Sequence, residues 1–96
     1  MDDVVRTTVL IYGEEYLLRS DLREEEVQKL GRLVDSRMRA LAARHPRVAA
    51  GRLAVLAAMT FAEEFLQLQA EHEEALKALQ AQWRREKPAL RSSTKR

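Results

Sequence analysis

The sequence of 96 residues contains no cysteine, which excludes disulfide bonds and thiolate metal sites. It has no apolar run near the ~18 residues that a membrane-spanning helix needs, and it opens Met1-Asp2-Asp3, unlike a secretory signal. It also has no Gly-rich phosphate loop, no His-Glu-x-x-His and no Glu-x-x-His pattern. We therefore expect a non-enzymatic, cytoplasmic protein without cofactors or metal ions.

The net charge of +2 conceals an uneven distribution along the chain. Residues 84–96 carry six basic side chains and one acidic side chain, a net charge of +5. Since the whole chain carries +2, the remaining residues carry a net charge of −3. A basic tail admits one alternative function, a small dimeric nucleic-acid-binding protein that grips phosphates. Against it, the tail has no aromatic ring on which a base could stack.

Proline and glycine are absent from Arg52 to Lys87, and Pro88 follows. The spacing predicts one helix of roughly 54 Å over this stretch. Its apolar residues recur at alternating steps of four and three, with Phe61 at a d position and Phe65 at an a position of a heptad. The seam is too wide for a two-stranded coiled coil alone, and too few residues precede the helix to cover it. The pattern therefore predicts an oligomer.

Seven residues make up the predicted oligomer interface: Phe61, Phe65, Leu68, His72, Leu76, Leu79 and Trp83. His72 at an a position is interpreted as a polar residue that sets the register, with a pH-sensitive contact or a metal ligand as the alternatives. Trp83 is interpreted as an interface anchor rather than a platform for a stacked ligand.

Residues 4–19 predict a β-hairpin, because apolar and polar residues alternate with a period of two. Gly13-Glu14 is predicted as a two-residue type II′ turn, which places Val9 opposite Leu18. An amphipathic helix follows, with a capping box from Asp21 and an end before Pro46. Gly31 lies within this helix, where glycine is less stable than alanine by about 1 kcal/mol. We favour the interpretation that the helix tolerates this glycine over the alternative that the glycine permits a close contact.

The fold class predicted is α+β, mostly α: a hairpin, a short amphipathic helix and a long coiled-coil helix, in an oligomer. The domains predicted are a hairpin–helix head over 1–52, the long helix over 53–87 and a disordered basic tail over 88–96. Arginines gather at the end of the first helix and in the link that follows. They complement the helix dipole, or they meet an acidic protein partner.

The order of these elements resembles the ZapA family of bacterial cell-division proteins, over residues 4 to about 85. The likeness lies in Val5-x-Thr7-x-Val9-x-Ile11-Tyr12-Gly13-x-x-Tyr16-x-Leu18-x-Ser20, in Leu33-Val34-Asp35-x-Arg37-Met38, and in Leu53-Ala54-Val55-Leu56-Ala57-Ala58-Met59. The chain departs from the family pattern at three places. Ala49-Ala50-Gly51 stands where Ser or Thr followed by Glu is common, Thr60 where Asn is frequent, and Glu14 where a basic residue can occur.

The resemblance implies a non-enzymatic regulator of the tubulin-like division protein FtsZ, at mid-cell. In the family, heads pair into homodimers and long helices associate into a homotetramer with heads at both ends, which bundles FtsZ filaments. By position, the resemblance assigns FtsZ binding to Glu14, Arg44, Arg47 and Arg52, and the rod to the seam residues. A generic coiled-coil adaptor for another protein is the remaining alternative.

Overall fold

The computed structural model describes residues 4–94, with side chains as far as Glu86. Two strands form an antiparallel hairpin, β1 (Val5–Ile11) and β2 (Glu14–Ser20), and two helices follow, α1 (Glu24–Arg44) and α2 (Ala50–Thr94). This order confirms the predicted α+β fold, a hairpin followed by a shorter and a longer helix. No helix within the described residues is long and apolar enough to cross a membrane.

The contacts divide the chain into a head that ends at Thr60 and a helical segment that begins at Phe61. The sequence predicts this boundary earlier, after Arg52. In the structure the boundary follows Thr60, because about three turns at the start of α2 belong to the head, where Leu53 and Ala57 are fully buried.

The hairpin turn lies one residue earlier than the sequence predicts. Tyr12 and Gly13 are the two central residues, and both have positive φ, at 49° and 84°. Positive φ at both positions is the type I′ geometry, so the predicted type II′ turn at Gly13-Glu14 is wrong. Val9 therefore lies opposite Tyr16 rather than Leu18. The register moves by two residues, so every side chain keeps its predicted face.

The core of the head forms where α1 packs against β1. Its buried side chains are Thr7, Val9, Val27, Met38, Leu53 and Ala57. Gly31 lies against the strand, because a Cβ built there would be 3.1 Å from Val9 Cβ and 3.2 Å from Val9 Cγ1. This glycine therefore permits a close contact between α1 and β1, which is the alternative that the sequence did not favour.

The N-cap of helix α1 lies two residues later in the chain than the sequence predicts. Ser20 Oγ accepts the backbone N–H of Leu22 at 2.9 Å, and this local turn delays the helix. Arg23 is the N-cap, and the side chain of Glu26 accepts its backbone N–H at 3.0 Å. The cap at Asp21 is therefore wrong, although a glutamate three residues after the N-cap fulfils the same role.

Helix α2 extends to Thr94, beyond the end at Lys87 and into the stretch for which a disordered tail was predicted. A proline removes one hydrogen bond from a helix, but helical residues on both sides can continue it. Ala89, Leu90 and Arg91 are strong helix formers. Residues 95 and 96 of the predicted tail lie outside the described residues.

Candidate interaction surfaces

The tip of the hairpin is held by a carboxylate on α1. Asp35 Oδ1 accepts the backbone N–H of Tyr12 at 2.7 Å. The same carboxylate accepts Arg39 Nε at 3.1 and 3.0 Å, and the guanidinium carbon of Arg39 lies 5.6 Å from the centre of the Tyr12 ring. Left-handed backbone costs a non-glycine residue roughly 1–2 kcal/mol. These three contacts offset that cost and fix the conformation of the turn.

The charge of Asp35 is stabilised by its donors. The hydrogen bond from Tyr12, and then the one from Arg39, lower the pKa of Asp35 below its ordinary value. The carboxylate is therefore ionised throughout the physiological range, and the turn is held by a charge-assisted hydrogen bond.

A groove of about 600 Å³ lies between the hairpin and the two helices of the head. Its lining residues are Ile11, Tyr12, Glu14, Tyr16, Leu18, Val34, Met38, Ala50, Gly51 and Ala54. The Tyr16 hydroxyl donates to Glu14 Oε1 at 3.1 Å, and this hydrogen bond, with the adjacent negative charge, raises the pKa of Tyr16. Glu14, one of the four predicted partner-binding residues, thus lies at the rim of an apolar groove.

A second, shallower groove of about 470 Å³ lies at the link between the helices. It is lined by Val48, Arg52, Val55 and Leu56, and the side chain of Val55 is 62% exposed. Arg52 therefore borders an exposed apolar surface. A partner segment that carries both apolar and acidic side chains would complement it.

Residues 36–62 contain five arginines and no acidic residue. Arg44 and Arg47 are exposed here, Arg44 in the last turn of α1 and Arg47 in the link. Both lie outside the two grooves, whereas Arg52 and Glu14 line different ones. The structure therefore does not gather the four predicted partner-binding residues into one site. It places three of them in a single stretch of positive charge and the fourth on the hairpin.

The helical segment carries the predicted oligomer seam on its surface. In the single chain, Phe65 is 60% exposed and Leu68 is 64% exposed. Leu76, Leu79 and Trp83 are also exposed, as is His72, whereas Phe61 is half-buried. The described residues hold no cluster of three or more potential metal ligands, around His72 or elsewhere. Large apolar side chains at this density on one helix indicate a surface that another chain covers.

The comparisons with known proteins identify the family. A family model described as "Cell division protein ZapA" matches residues 7–94. The chain belongs to the ZapA family of cell division proteins. The "Cell division protein ZapA" of Bacillus thuringiensis (strain Al Hakam) is 35% identical over 68 residues, which cover 71% of this chain and 76% of that relative. The protein of the same name from Geobacillus sp. (strain WCH70) is 28% identical over 74 residues, covering 77% and 85%.

A solved structure of a ZapA family member has the same fold. It is a ZapA mutant dimer from Geobacillus stearothermophilus, with a TM-score of 0.64 and 27% sequence identity. The match covers 80% of this chain and 90% of that chain. The resemblance inferred from the sequence is therefore confirmed, and the ZapA family is one of cell division proteins rather than of enzymes.

Sequence reasoning missed two features of this ZapA family head. The first is the contact of Tyr12 with Asp35 and Arg39, although Asp and Arg four residues apart on a helix are a recognisable pair. The second is the apolar groove beside Arg52. A run of aliphatic residues next to an arginine does not by itself show which side chains another element covers.

Proposed function

We propose that this chain is a non-enzymatic regulator of cell division that binds FtsZ and crosslinks its filaments at mid-cell. The observation that carries the proposal is the exposed apolar seam of the helical segment in a ZapA family chain. A head that binds a filament cannot crosslink filaments alone, but an oligomer that carries several heads can.

Self-association follows from the chemistry of the seam. Full burial of a Leu or Phe side chain is worth about 1.5–3 kcal/mol, and Phe65, Leu68 and Leu79 each have at least three fifths of their surface exposed. A second copy presents the same seam and can bury it symmetrically. The solved ZapA family relative is a dimer, which supports a homodimer here, with a homotetramer as the expected larger assembly.

The head supplies the contact with FtsZ in this proposal. Arg44, Arg47 and Arg52 lie in a stretch without acidic residues, so they attract an acidic surface and speed its association. Apolar surface beside Arg52 provides the short-range contact that long-range charge cannot. Glu14, on the hairpin, would meet a different, basic part of the same partner.

The test is sedimentation of FtsZ filaments formed with GTP, with and without this protein. The native protein should increase the pelleted FtsZ and appear in the pellet itself. The variant Arg47→Glu with Arg52→Glu should lose both effects. The matched control is Arg84→Glu with Arg85→Glu, which makes the same change in charge on exposed residues of the helical segment and should behave as the native protein does.

Binding and crosslinking are separated by a third variant, Phe65→Asp with Leu68→Asp. It should still bind filaments, seen as co-migration in analytical ultracentrifugation, but should bundle them less, because an assembly reduced to dimers or monomers carries fewer heads. If the native protein does not co-pellet with FtsZ from low to physiological salt, the proposed function is wrong. Equal losses in the two charge-reversal pairs would refute the arginines as the binding surface.

A further inference from the structure

The hairpin turns one face towards α1 and exposes the other. Thr7 and Val9 are buried where α1 packs against β1, and side chains alternate between the two faces along a strand. The opposite face, called the outer face below, consists of six exposed residues in three cross-strand pairs. From the open end of the hairpin towards the turn, these pairs are Arg6 with Arg19, Thr8 with Leu17, and Leu10 with Glu15. Successive pairs are two residues apart, about 7 Å.

Two leucines form an exposed apolar patch on the outer face. Leu17 is 67% exposed, more than any other large apolar side chain of the described residues, and Leu10 is 60% exposed. They are diagonal neighbours on adjacent strands, near enough for long side chains to touch. The solvated face of an antiparallel sheet is ordinarily polar. Two adjacent leucines there indicate a surface that another molecule covers.

The charges of the outer face are unbalanced. Arg6 and Arg19 lie directly opposite each other. Ile11 and Glu14 close the turn as a hydrogen-bonded pair, so by alternation the two arginines form a pair without hydrogen bonds, with Cα atoms about 4.5 Å apart. Like charges at opposed positions destabilise a sheet, and within residues 4–94 neither arginine has an acidic partner. A local rule that is broken at a cost in stability is expected at a functional site.

Two neighbouring guanidinium groups without an acid are suited to binding a carboxylate. A guanidinium is a planar group of five N–H donors that pairs with carboxylates through parallel hydrogen bonds. A carboxylate has two oxygens with about four acceptor sites, enough to accept from both arginines at once. An acidic side chain placed between Arg6 and Arg19 would therefore replace their mutual repulsion with attraction to a shared anion.

We propose that the outer face binds an extended segment of a protein partner, in which an acidic residue is followed at alternate positions by two apolar residues. The carboxylate lies between Arg6 and Arg19, the first apolar side chain covers Leu17, and the second covers Leu10. The spacing selects an extended segment, because its alternate side chains recur about every 7 Å, as the pairs of the outer face do. A helix, about 10 Å across, is wider than two strands that lie about 4.8 Å apart.

The remaining charge of the outer face favours a protein segment over a phosphate-rich partner. Glu15 is exposed beside Leu10 and has no basic partner within residues 4–94. It would repel a polyanion that lies along the whole face, whereas a protein segment can be acidic at one end and basic at the other. The outer face also has no aromatic ring on which a nucleic-acid base could stack. The charges therefore set the direction of the segment, with its acidic end at Arg6 and Arg19.

The first test uses a synthetic peptide with the proposed pattern, Ser-Asp-Ser-Leu-Ser-Leu-Ser, blocked at both ends. It is titrated into the full-length protein with isotope-labelled leucine methyl groups, and binding is followed by NMR. The methyl resonances of Leu10 and Leu17 should shift and saturate. Replacing the aspartate of the peptide with asparagine should weaken binding about tenfold, because the charge-assisted hydrogen bonds are lost. The reordered peptide Ser-Asp-Leu-Ser-Ser-Leu-Ser should bind equally poorly, because its apolar residues no longer alternate.

The second test removes the arginines. Arg6→Gln with Arg19→Gln should weaken binding of the peptide about tenfold, and it should not lower Tm, because it relieves the repulsion between like charges. The matched control, Arg84→Gln with Arg85→Gln, removes the same charge from exposed residues of the helical segment and should keep the Kd within threefold. Equal losses in the two variants, or no saturable shift of the leucine resonances up to about 1 mM peptide, would overturn the proposal.

The third test addresses other occupants of the outer face. Asp2→Asn with Asp3→Asn should leave the Kd of the peptide within threefold, and a tenfold gain in affinity would instead make the chain's own N-terminus the occupant. Leu10→Ser with Leu17→Ser should leave the mass from light scattering unchanged, and a smaller mass would assign the face to a second copy. Phosphatidylglycerol vesicles or a single-stranded oligonucleotide that shift the leucine resonances would overturn the choice of a protein segment. The outer face includes none of the arginines proposed to bind FtsZ, so the sedimentation result stands separately.

Discussion

The contact between Gly31 and Val9 predicts both the direction and the magnitude of the change in stability that Gly31→Ala would cause. An alanine at position 31 would place its Cβ 3.1 Å from Val9 Cβ, closer than ordinary van der Waals contact. Overpacking of this kind costs about 1–3 kcal/mol, whereas replacing glycine by alanine within a helix gains about 1 kcal/mol. Val9 is a β-branched residue, stiff about its first side-chain torsion, and almost fully buried. It cannot move aside cheaply, so Gly31→Ala should be destabilising by about 1 kcal/mol.

The chain provides its own matched control. Gly51 lies in the first turn of α2, and a Cβ there meets nothing within 4 Å. Gly51→Ala should therefore stabilise the head by up to about 1 kcal/mol through the helical preference alone. Thermal unfolding at one fixed protein concentration separates the two, because 1 kcal/mol shifts Tm by about 4–8 °C in a domain of this size. If both substitutions raise Tm equally, α1 does not press against β1 as described.

Three further predictions concern the turn, the core and the seam. Asp35→Asn should destabilise the protein at pH 7; because the pKa of Asp35 is lowered from 3.8, the native advantage is present above that value and disappears as pH falls below it. If the difference in unfolding free energy between the native protein and Asp35→Asn stays constant down to pH 2, the ionic contact is refuted. Thr7 Oγ1 is buried without a hydrogen-bond partner, so Thr7→Val should stabilise by about 1 kcal/mol in denaturant unfolding; a loss would mean that a second copy satisfies this hydroxyl. Phe65→Asp with Leu68→Asp should reduce the mass measured by light scattering to dimers or monomers, and an unchanged mass would refute the seam.

The faces of the hairpin could be predicted from sequence, but its turn could not. Alternation of apolar residues assigns Val9, Tyr16 and Leu18 to one face whichever turn forms. The choice of turn depends on whether Tyr12 can adopt positive φ, which is unfavourable for its own side chain. The residue that makes it possible is Asp35, 23 positions away. A contact of that range leaves no signal in the local pattern.

For helix α1, too, one property could be predicted from the sequence and another could not. Its length follows from the apolar periodicity and its end from Pro46, but the sequence does not show which side of the helix faces the strand. Leu30 and Leu33 follow the apolar spacing of this amphipathic helix, yet each is half-exposed, because Gly31 occupies the line of contact with Val9. The glycine brings the helix closer to the strand and turns its larger neighbours outward. Which apolar residues form the core therefore depended on a residue with no side chain.

The predicted binding residues were separated for a related reason. Arg44, Arg47 and Arg52 are neighbours in sequence and share a region without acidic residues, and charge of that kind can be read directly. Glu14 was grouped with them by resemblance alone. In the structure it contacts Tyr16 and borders a different groove. A partner that meets all four would have to contact two distinct surfaces of the head.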